Sequence, residues 1–296
     1  MVSYQDRQTQ TGASSQGGTS VFTTFRMSDQ EFNQIREMVY STVGIDIKPH
    51  KKPLVINRLS KRLRHLGLKD FSGYLKYLEQ GDHSRQEFTE LIDCITTNKT
   101  DFFREAKHFD CLRDIVVPYF QKMGPSLHLK VWSAACSSGE EPYSLAMSLQ
   151  EMQTAGKRFS FEILGSDISE TILRTAVTGI YAEEKIRPIP FDILRKYFLR
   201  GEGRYKVKPE LAKHISFKKL NLQHEFHHQM KGFHVIFLRN VMIYFDRPTQ
   251  QSIVDKCWHV LQPGGFLFLG LSETLHGTSV PFQYAAPSVY QKVTHA

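Results

Sequence analysis

The sequence predicts an α/β fold, with an open and mainly parallel sheet covered on both faces, preceded by a small all-helical domain. Three observations predict it. From about residue 108 short apolar runs alternate with helix-patterned segments, which means parallel strands joined by helical crossovers. Residues 27 to 97 carry only helix-patterned segments. The run Leu129-Lys130-Val131-Trp132-Ser133-Ala134-Ala135-Cys136-Ser137-Ser138-Gly139-Glu140-Glu141-Pro142-Tyr143-Ser144 passes from apolar to small residues, then to Gly139 and Pro142. An α/β sheet opens a ligand crevice in this way, at the carboxyl end of a strand.

The elements follow in order. Residues 1–26 are rich in Gln, Ser, Thr and Gly and predict a disordered tail. Ser28-Asp29-Gln30-Glu31 reads as a capping box ahead of Phe32, Ile35, Met38 and Val39. Pro53 opens a helix carrying Ile56, Leu59, Leu63 and Leu66 on one face, and Gly67 stops it. Tyr74, Leu75 and Leu78 belong to a short third helix. Ser84-Arg85-Gln86-Glu87 caps a fourth, with Phe88, Leu91, Ile92 and Ile95 inward. Residues 98–107 form a linker. A helix at 109–122 then leads to a strand at 127–135, a helix from Glu141, a strand from Phe159 to Asp167 and a helix from Ser169. A small antiparallel β-subdomain is expected near 198–218. Phe233 to Leu238 is a strand, Pro248 to Leu261 a helix, and Gly264 to Gly270 and Ser288 to Val293 are strands, which makes 108–296 the second domain.

The chain has 296 residues, a formal charge of +8 and four cysteines. Its length suits one large or two modest domains. Cys94, Cys111, Cys136 and Cys257 are widely separated, which predicts free thiols in a reducing compartment. The first residues lack the basic and apolar regions of a signal peptide, and no apolar run reaches membrane-spanning length. A cytoplasmic protein with no direct membrane insertion is expected. The charge permits nucleic acid, a membrane surface or an acidic protein as partner and decides none of them.

The crevice suits no phosphate. It has one glycine where a pyrophosphate site has three, and Glu140 and Glu141 would repel an anion at the helix start. An acidic crevice suits a cation or a ribose diol. S-adenosylmethionine offers both, so methyl transfer is the first hypothesis. Asp167, ending the second strand, is placed to hold a ribose diol or other adenosine polar groups. It is also placed to act as a charge at the next helix start. Leu261-Gln262-Pro263-Gly264-Gly265 resembles a turn found late in methyltransferase folds that use this cofactor. The linker Thr97-Asn98-Lys99-Thr100-Asp101-Phe102-Phe103-Arg104-Glu105 packs amides, hydroxyls and an arginine where polarity alone would suffice, and interdomain clefts are preferred ligand sites. Its two phenylalanines read as anchors. Arg239-Asn240-Val241-Met242-Ile243-Tyr244-Phe245 begins where a strand runs out at the crevice. It is not the Asp/Asn-Pro-Pro-Tyr/Phe of DNA amino-methyltransferases. His224-Glu225-Phe226-His227-His228 matches a zinc-protease pattern but sits in too short a space for the long helix that pattern needs, so no metal is assigned.

The helical domain, the Thr-Asn-x-Thr-x-Phe-Phe-Arg-Glu linker, Val-Trp-Ser-Ala-Ala-x-Ser-x-Gly-Glu-Glu-Pro-Tyr-Ser and Arg-Asn-Val-Met-Ile-Tyr-Phe together resemble the chemotaxis receptor glutamate methyltransferases, the CheR family. The resemblance covers about residues 27 to 293. It implies a Rossmann-like methyltransferase domain and transfer of a methyl group from S-adenosylmethionine to glutamates on the cytoplasmic helical bundle of chemoreceptors, leaving S-adenosylhomocysteine. It implies cofactor contacts from Asn98, Thr100, Arg104, Glu141, Asp167, Asn221, Leu222, Arg239 and Asn240, with Arg104 and Tyr244 facing the methyl-transfer site. The turn Arg200-Gly201-Glu202-Gly203-Arg204-Tyr205-Lys206-Val207 is shorter than in members that grip a peptide at the receptor's C-terminus, which argues against a C-terminal pentapeptide tether.

Lys48 to Lys69 holds eight Lys or Arg and no acid. Arg58, Lys61 and Arg62, with His65 and Lys69, fall on one stripe of the second helix. They read as a solvated face or as a receptor-docking surface steering toward an acidic helix. Aromatics are not interleaved with these bases, which disfavours nucleic acid. The chain is expected to be a monomer. Two rivals stand beside this reading: a non-catalytic adaptor that keeps the fold, and a methyltransferase acting on RNA or a small molecule.

Overall fold

The computed structural model describes residues 25–80, 84–124 and 126–293. The amino-terminal part holds four helices, α1 (Asp29–Val43), α2 (Lys52–Leu66), α3 (Phe71–Glu79) and α4 (Ser84–Ile95). At the start of α1, Ser28 Oγ accepts the Glu31 backbone N–H at 3.2 Å and the Ser28 N–H donates to Glu31 Oε2 at 2.7 Å. The box satisfies two donors that the first helical turn leaves open. Ile35, Val39, Leu59, Leu63, Phe71, Tyr74 and Leu91 are buried between the helices.

Residues 1–24 of the expected tail lie outside the described residues. The boundary expected at residue 26 falls too late. Phe25 is buried edge-on to Phe71, with ring centroids 6.3 Å apart, and Arg64 lies over its face. One phenylalanine after a polar stretch has no periodicity to reveal it.

The docking stripe also needs correction. Arg62 lies across Glu87, with Nε 2.9 Å from Oε1, and the same oxygen accepts the Tyr74 hydroxyl at 2.9 Å. Glu87 is 3% exposed. It is therefore the partner of a buried ion pair and not the capping residue expected for Ser84. Arg58 donates to the carbonyls of Ile95 and Thr96 and to Thr97 Oγ1, closing the carboxyl end of α4, where a cation is favoured by the helix dipole. The stripe exists on the isolated helix, but α4 and its carboxyl end take up Arg58 and Arg62. Of Arg58, Lys61 and Arg62, Lys61 alone is exposed.

The second part starts with α5 (Lys107–Cys111) and α6 (Val117–Gln121), joined through a π turn at Leu112–Val116. Then come β1 (His128–Ser133), α7 (Glu140–Thr154), β2 (Ser160–Asp167), α8 (Glu170–Thr178), β3 (Ile180–Ala182), α9 (Glu183–Ile186), α10 (Phe191–Tyr197), β4 (Phe198–Arg200) and β5 (Arg204–Val207). The chain closes with α11 (Pro209–Ala212), β6 (Ile215–Lys219), β7 (Phe233–Leu238), α12 (Arg247–Val260), β8 (Leu261–Leu269), β9 (Phe282–Ala286) and β10 (Val289–Lys292). Seven strands form one sheet in the order β6-β2-β1-β7-β8-β10-β9. Its first five are parallel, and β10 runs antiparallel to both neighbours. Successive side chains go to opposite faces. Val131, Val235, Phe237 and Phe268 belong to one apolar layer, and Trp132, Ile236, Leu238 and Leu267 to the other. The chain leaves β1 toward β2 on one side and later returns to β7 on the other. The order therefore reverses at β1, the place where such sheets bind ligands.

The antiparallel subdomain overlaps 198–218 in part: β4 and β5 fall within that range, β3 lies upstream of it, and β6 does not belong to it. It is the three-stranded sheet β3-β5-β4, whereas β6 joins the main sheet parallel to β2 in the register Ile163↔Ile215. Ile180–Ala182 is too short to show a period, and the half-exposed alternation of Ile215–Lys219 suits the edge of either sheet. Among the described residues no helix is long and apolar enough to cross a membrane.

Candidate active site

A cleft of about 960 Å³, its open mouth included, lies over the carboxyl ends of β1, β2 and β7. All ten residues named from the resemblance line it: Asn98, Thr100, Arg104, Glu141, Asp167, Asn221, Leu222, Arg239, Asn240 and Tyr244. One wall comes from the helical part, through Val43, Ile45, Ile95, Thr96 and Thr97.

The floor is the turn after β1. Ser137 adopts φ +50°, and its N–H donates to Asp167 Oδ2 at 2.8 Å. Its hydroxyl donates to the Asn98 carbonyl at 3.0 Å, which ties the linker down. Gly139 has φ +95°, and a Cβ there would come within 2.9 Å of both Ala176 Cβ and the Tyr181 hydroxyl. The position accepts only glycine, and it aims the amino end of α7 at the cleft. The two glutamates that begin α7 part ways. Glu140 is fully buried away from the cleft, held by the Ser138 hydroxyl and by Lys185 at 3.2 Å. Glu141 lines the cleft and accepts the Ser133 hydroxyl at 2.7 Å. Burial pushes its carboxyl above the usual range, against the pull of Arg239.

Asp167 occupies both of the places expected for it. It lines the cleft, and its Oδ1 accepts the N–H of Ser169, the cap of α8, at 3.1 Å. Burial raises its pKa, while the backbone N–H groups of Ser169, Ser137 and Ile168 draw it back down.

The linker holds Arg104 between two residues in left-handed backbone, Phe103 at φ +53° and Glu105 at φ +58°. Ser137 and Asn240 (φ +57°), also in left-handed backbone, line the cleft, and Phe103 and Glu105 flank Arg104, which does too; such strain collects at functional sites. Phe102 is buried against Tyr181 at 4.9 Å and Phe103 packs on Phe109 at 5.4 Å, so both anchor the linker as expected. Arg104 Nη1 donates to the Lys99 carbonyl at 3.0 Å, and among the described residues its other nitrogens make no bond to the protein. The Tyr244 hydroxyl likewise has no protein partner among them.

Behind these residues runs a charged network that the sequence reading missed. Arg239 is 1% exposed at its side chain. It donates to Glu105 Oε2 at 3.0 Å and to the Arg104 carbonyl at 2.6 Å, and pairs with Glu141 Oε2 at 3.3 Å. Glu105 also accepts from Asn240 Nδ2 at 3.2 Å. Burial would raise the Glu105 carboxyl, but Arg239 and Asn240 outweigh it and hold it below the usual range. Glu273, buried, accepts the N–H groups of Asn240 and Gly270 at 2.7 Å each and of Ile243 at 3.3 Å. One carboxylate thus pins the loop that carries Asn240 and Tyr244. The signal available in the sequence was an acid just past an apolar strand at the crevice edge. For Glu105 it was a place beside Arg104 in the linker.

The helical part touches this loop directly. Ile45 and Phe245 form an antiparallel bridge, the Asp46 N–H donates to the Tyr244 carbonyl at 2.9 Å, and the Tyr40 hydroxyl donates to Asp246 at 2.7 Å. Asn221 belongs to the same joint. Its side-chain amide donates to the Thr42 carbonyl at 2.7 Å, and its oxygen accepts the Gln223 N–H at 3.0 Å. His224 to His228 lie in turns between β6 and β7, and among the described residues no group of three or more His, Cys, Asp or Glu side chains has metal-binding geometry.

The donor set fits S-adenosylmethionine. Glu141 and Asp167 are carboxylates for a cationic, ribose-bearing molecule, and Ile168, Leu222, Val241 and Phe245 are apolar walls for a base.

Comparison with known proteins agrees. The family description "CheR methyltransferase, SAM binding domain" matches residues 98–290, and "CheR methyltransferase, all-alpha domain" matches residues 30–96. The "Chemotaxis protein methyltransferase" of Escherichia coli (strain K12) is 41% identical over 269 residues, covering 89% of this chain and 91% of that protein. The protein of the same name from Borreliella burgdorferi is 39% identical over 271 residues, covering 90% and 95%. "Chemotaxis protein methyltransferase 2" of Pseudomonas aeruginosa is 36% identical over 270 residues, covering 90% and 94%. With both family domains matched in order and the linked motifs gathered around one cleft, this chain belongs to the CheR methyltransferase family.

Proposed function

We propose that the chain is a protein-glutamate O-methyltransferase. It esterifies glutamate side chains on the cytoplasmic helical bundle of chemoreceptors, working in the cytoplasm as a monomer. The observation that carries this reading is the pairing of Arg104 and Tyr244 at the cleft, each with hydrogen-bonding capacity not used by the protein. S-adenosylmethionine supplies an electrophilic methyl group on a sulfonium. A glutamate is ionised at pH 7 and is already a nucleophile, so this chain need not move a proton. Its work is to place the carboxylate. Arg104 offers a planar fork that can grip a carboxylate through two bonds, and Tyr244 can direct one lone pair. Positioning of this kind can supply roughly 7–11 kcal/mol. The exposed bases Lys61, Arg64 and His65 of α2, with Lys69 just beyond it, remain available to steer an acidic helix. The β4–β5 turn is tight, with the Gly201 N–H donating to the Arg204 carbonyl at 2.8 Å, which supports encounter without a C-terminal tether.

Radiolabelled methyl transfer to a receptor cytoplasmic fragment tests the reading. The label is expected to leave in mild base, because carboxyl esters hydrolyse there. A base-stable label would put the methyl group on nitrogen, and label entering RNA or a small molecule in preference would favour that rival. Binding with no transfer at all would leave an adaptor.

Asp167→Ala is expected to weaken S-adenosylhomocysteine binding more than about tenfold, since a hydrogen bond to a charged group is worth roughly 1.5–3 kcal/mol. Calorimetry reads the change. Unchanged affinity would confine Asp167 to holding Ser137 and the start of α8.

A further inference from the structure

Two exposed apolar side chains stand at the mouth of the cleft without lining it. Ile243 is 54% exposed and Leu271 is 55% exposed. A single exposed aliphatic residue needs no explanation. This pair differs in where it stands and in how firmly its backbone is held. Ile243 precedes Tyr244 in the short 3-10 turn Met242–Tyr244. Leu271 follows Gly270 at the end of β8. The Glu273 carboxylate takes the N–H of Ile243 on one oxygen and those of Gly270 and Asn240 on the other. The Leu271 N–H points to Glu105 Oε1 at 3.4 Å. The loops meet so closely that a Cβ on Gly270 would come within 2.4 Å of Asn240 Nδ2. The buried Glu273 and the part-buried Glu105 therefore hold the backbone of two exposed apolar residues, Ile243 next to Tyr244 and Leu271 on the adjoining loop. Covering a surface already fixed loses little conformational freedom.

We propose that Ile243 and Leu271 form an apolar shelf that seats the substrate polypeptide next to the glutamate being methylated. The proposal rests on the protein-glutamate reading above. A glutamate that reaches Tyr244 from outside draws its own backbone across the residues flanking Tyr244, so the shelf's occupant is the segment that carries the target. In a helix, side chains three or four positions apart share a face. An apolar side chain one turn from the glutamate then covers the shelf. The shelf selects glutamates that have such a neighbour, while Arg104 and Tyr244 act on the carboxylate itself.

The test uses the full chain and a receptor cytoplasmic fragment that the wild type methylates. Ile243→Thr and Leu271→Ser are each expected to raise KM for the fragment about tenfold, with kcat at saturation and affinity for S-adenosylhomocysteine close to wild type. Ile243→Leu is expected to restore KM. A substrate-side change avoids any effect on enzyme folding: replacing the apolar residue one turn from the methylated glutamate by Ser should raise KM equally, and should add nothing to Leu271→Ser. Unchanged KM in both enzyme variants, or full additivity with the substrate change, overturns the shelf. So does light scattering that shows a wild-type dimer lost in Leu271→Ser at unchanged KM, since the occupant would then be a second copy. If the wild type forms no base-labile product on any receptor fragment, the protein-glutamate reading fails and takes the shelf with it. Base-labile product with unaltered variants removes the shelf alone.

Discussion

Arg62→Ala is expected to destabilise the helical part by roughly 3–5 kcal/mol, the cost of removing one partner from a buried ion pair. The carboxylate left behind is Glu87, 3% exposed, with the Tyr74 hydroxyl as its remaining side-chain partner of note. Arg62 itself is 19% exposed at its side chain and binds both Glu87 oxygens. Reversal to Glu should be worse, because it sets two carboxylates together where neither can be hydrated. Thermal unfolding followed by circular dichroism measures the effect, with Lys61→Glu as the exposed control that should melt like the wild type. An Arg62→Ala protein as stable as wild type would mean that Glu87 finds water. The result bears on docking experiments as well. A charge reversal at Arg58 and Arg62 loosens the domain, so loss of receptor binding in such a variant reports on folding. Docking is better tested at Lys61, Arg64 and Lys69, which are exposed.

What the sequence made legible depended on distance along the chain. The Ser28–Glu31 box, the glycine turn into α7 and Asp167 at the end of β2 are each set by residues a few positions apart, and each stands where local pattern puts it. The Arg62–Glu87 pair joins residues 25 apart on different helices, and no helical wheel can show which face a later helix will cover. The bridge between Ile45 and Phe245 and the bond from Asn221 to Thr42 are further still beyond local pattern. Glu105 was visible as part of the linker, but its left-handed backbone and its grip on Arg239 and Asn240 were not. The residues that line the cleft could be named in advance because linked motifs carry them. The carboxylates that brace them stayed hidden, since an acid past a strand end looks the same whether it meets water or three backbone N–H groups.

Arg104→Ala is expected to lower kcat for receptor methylation by at least about 100-fold, the order of loss when a reacting group is no longer held in line. The fold should be undisturbed, because what holds the linker is its backbone and its neighbours. Phe103 donates its N–H to Ser144 Oγ at 2.9 Å, and Arg239 holds the Arg104 carbonyl at 2.6 Å. Neither bond uses the Arg104 side chain. The guanidinium is itself fixed at one nitrogen by the Lys99 carbonyl, so the remaining edge of the fork is already aimed when a carboxylate arrives. Arg104→Lys separates charge from shape. An ammonium keeps a cation near Glu141, and affinity for S-adenosylhomocysteine should fall less than in the alanine variant. It cannot span both oxygens of a carboxylate from an anchored plane, so kcat should recover little. Steady-state kinetics on a receptor fragment beside calorimetry with S-adenosylhomocysteine resolves the two contributions. A lysine variant with near wild-type kcat would show that charge alone suffices, and the orienting role would pass to Tyr244.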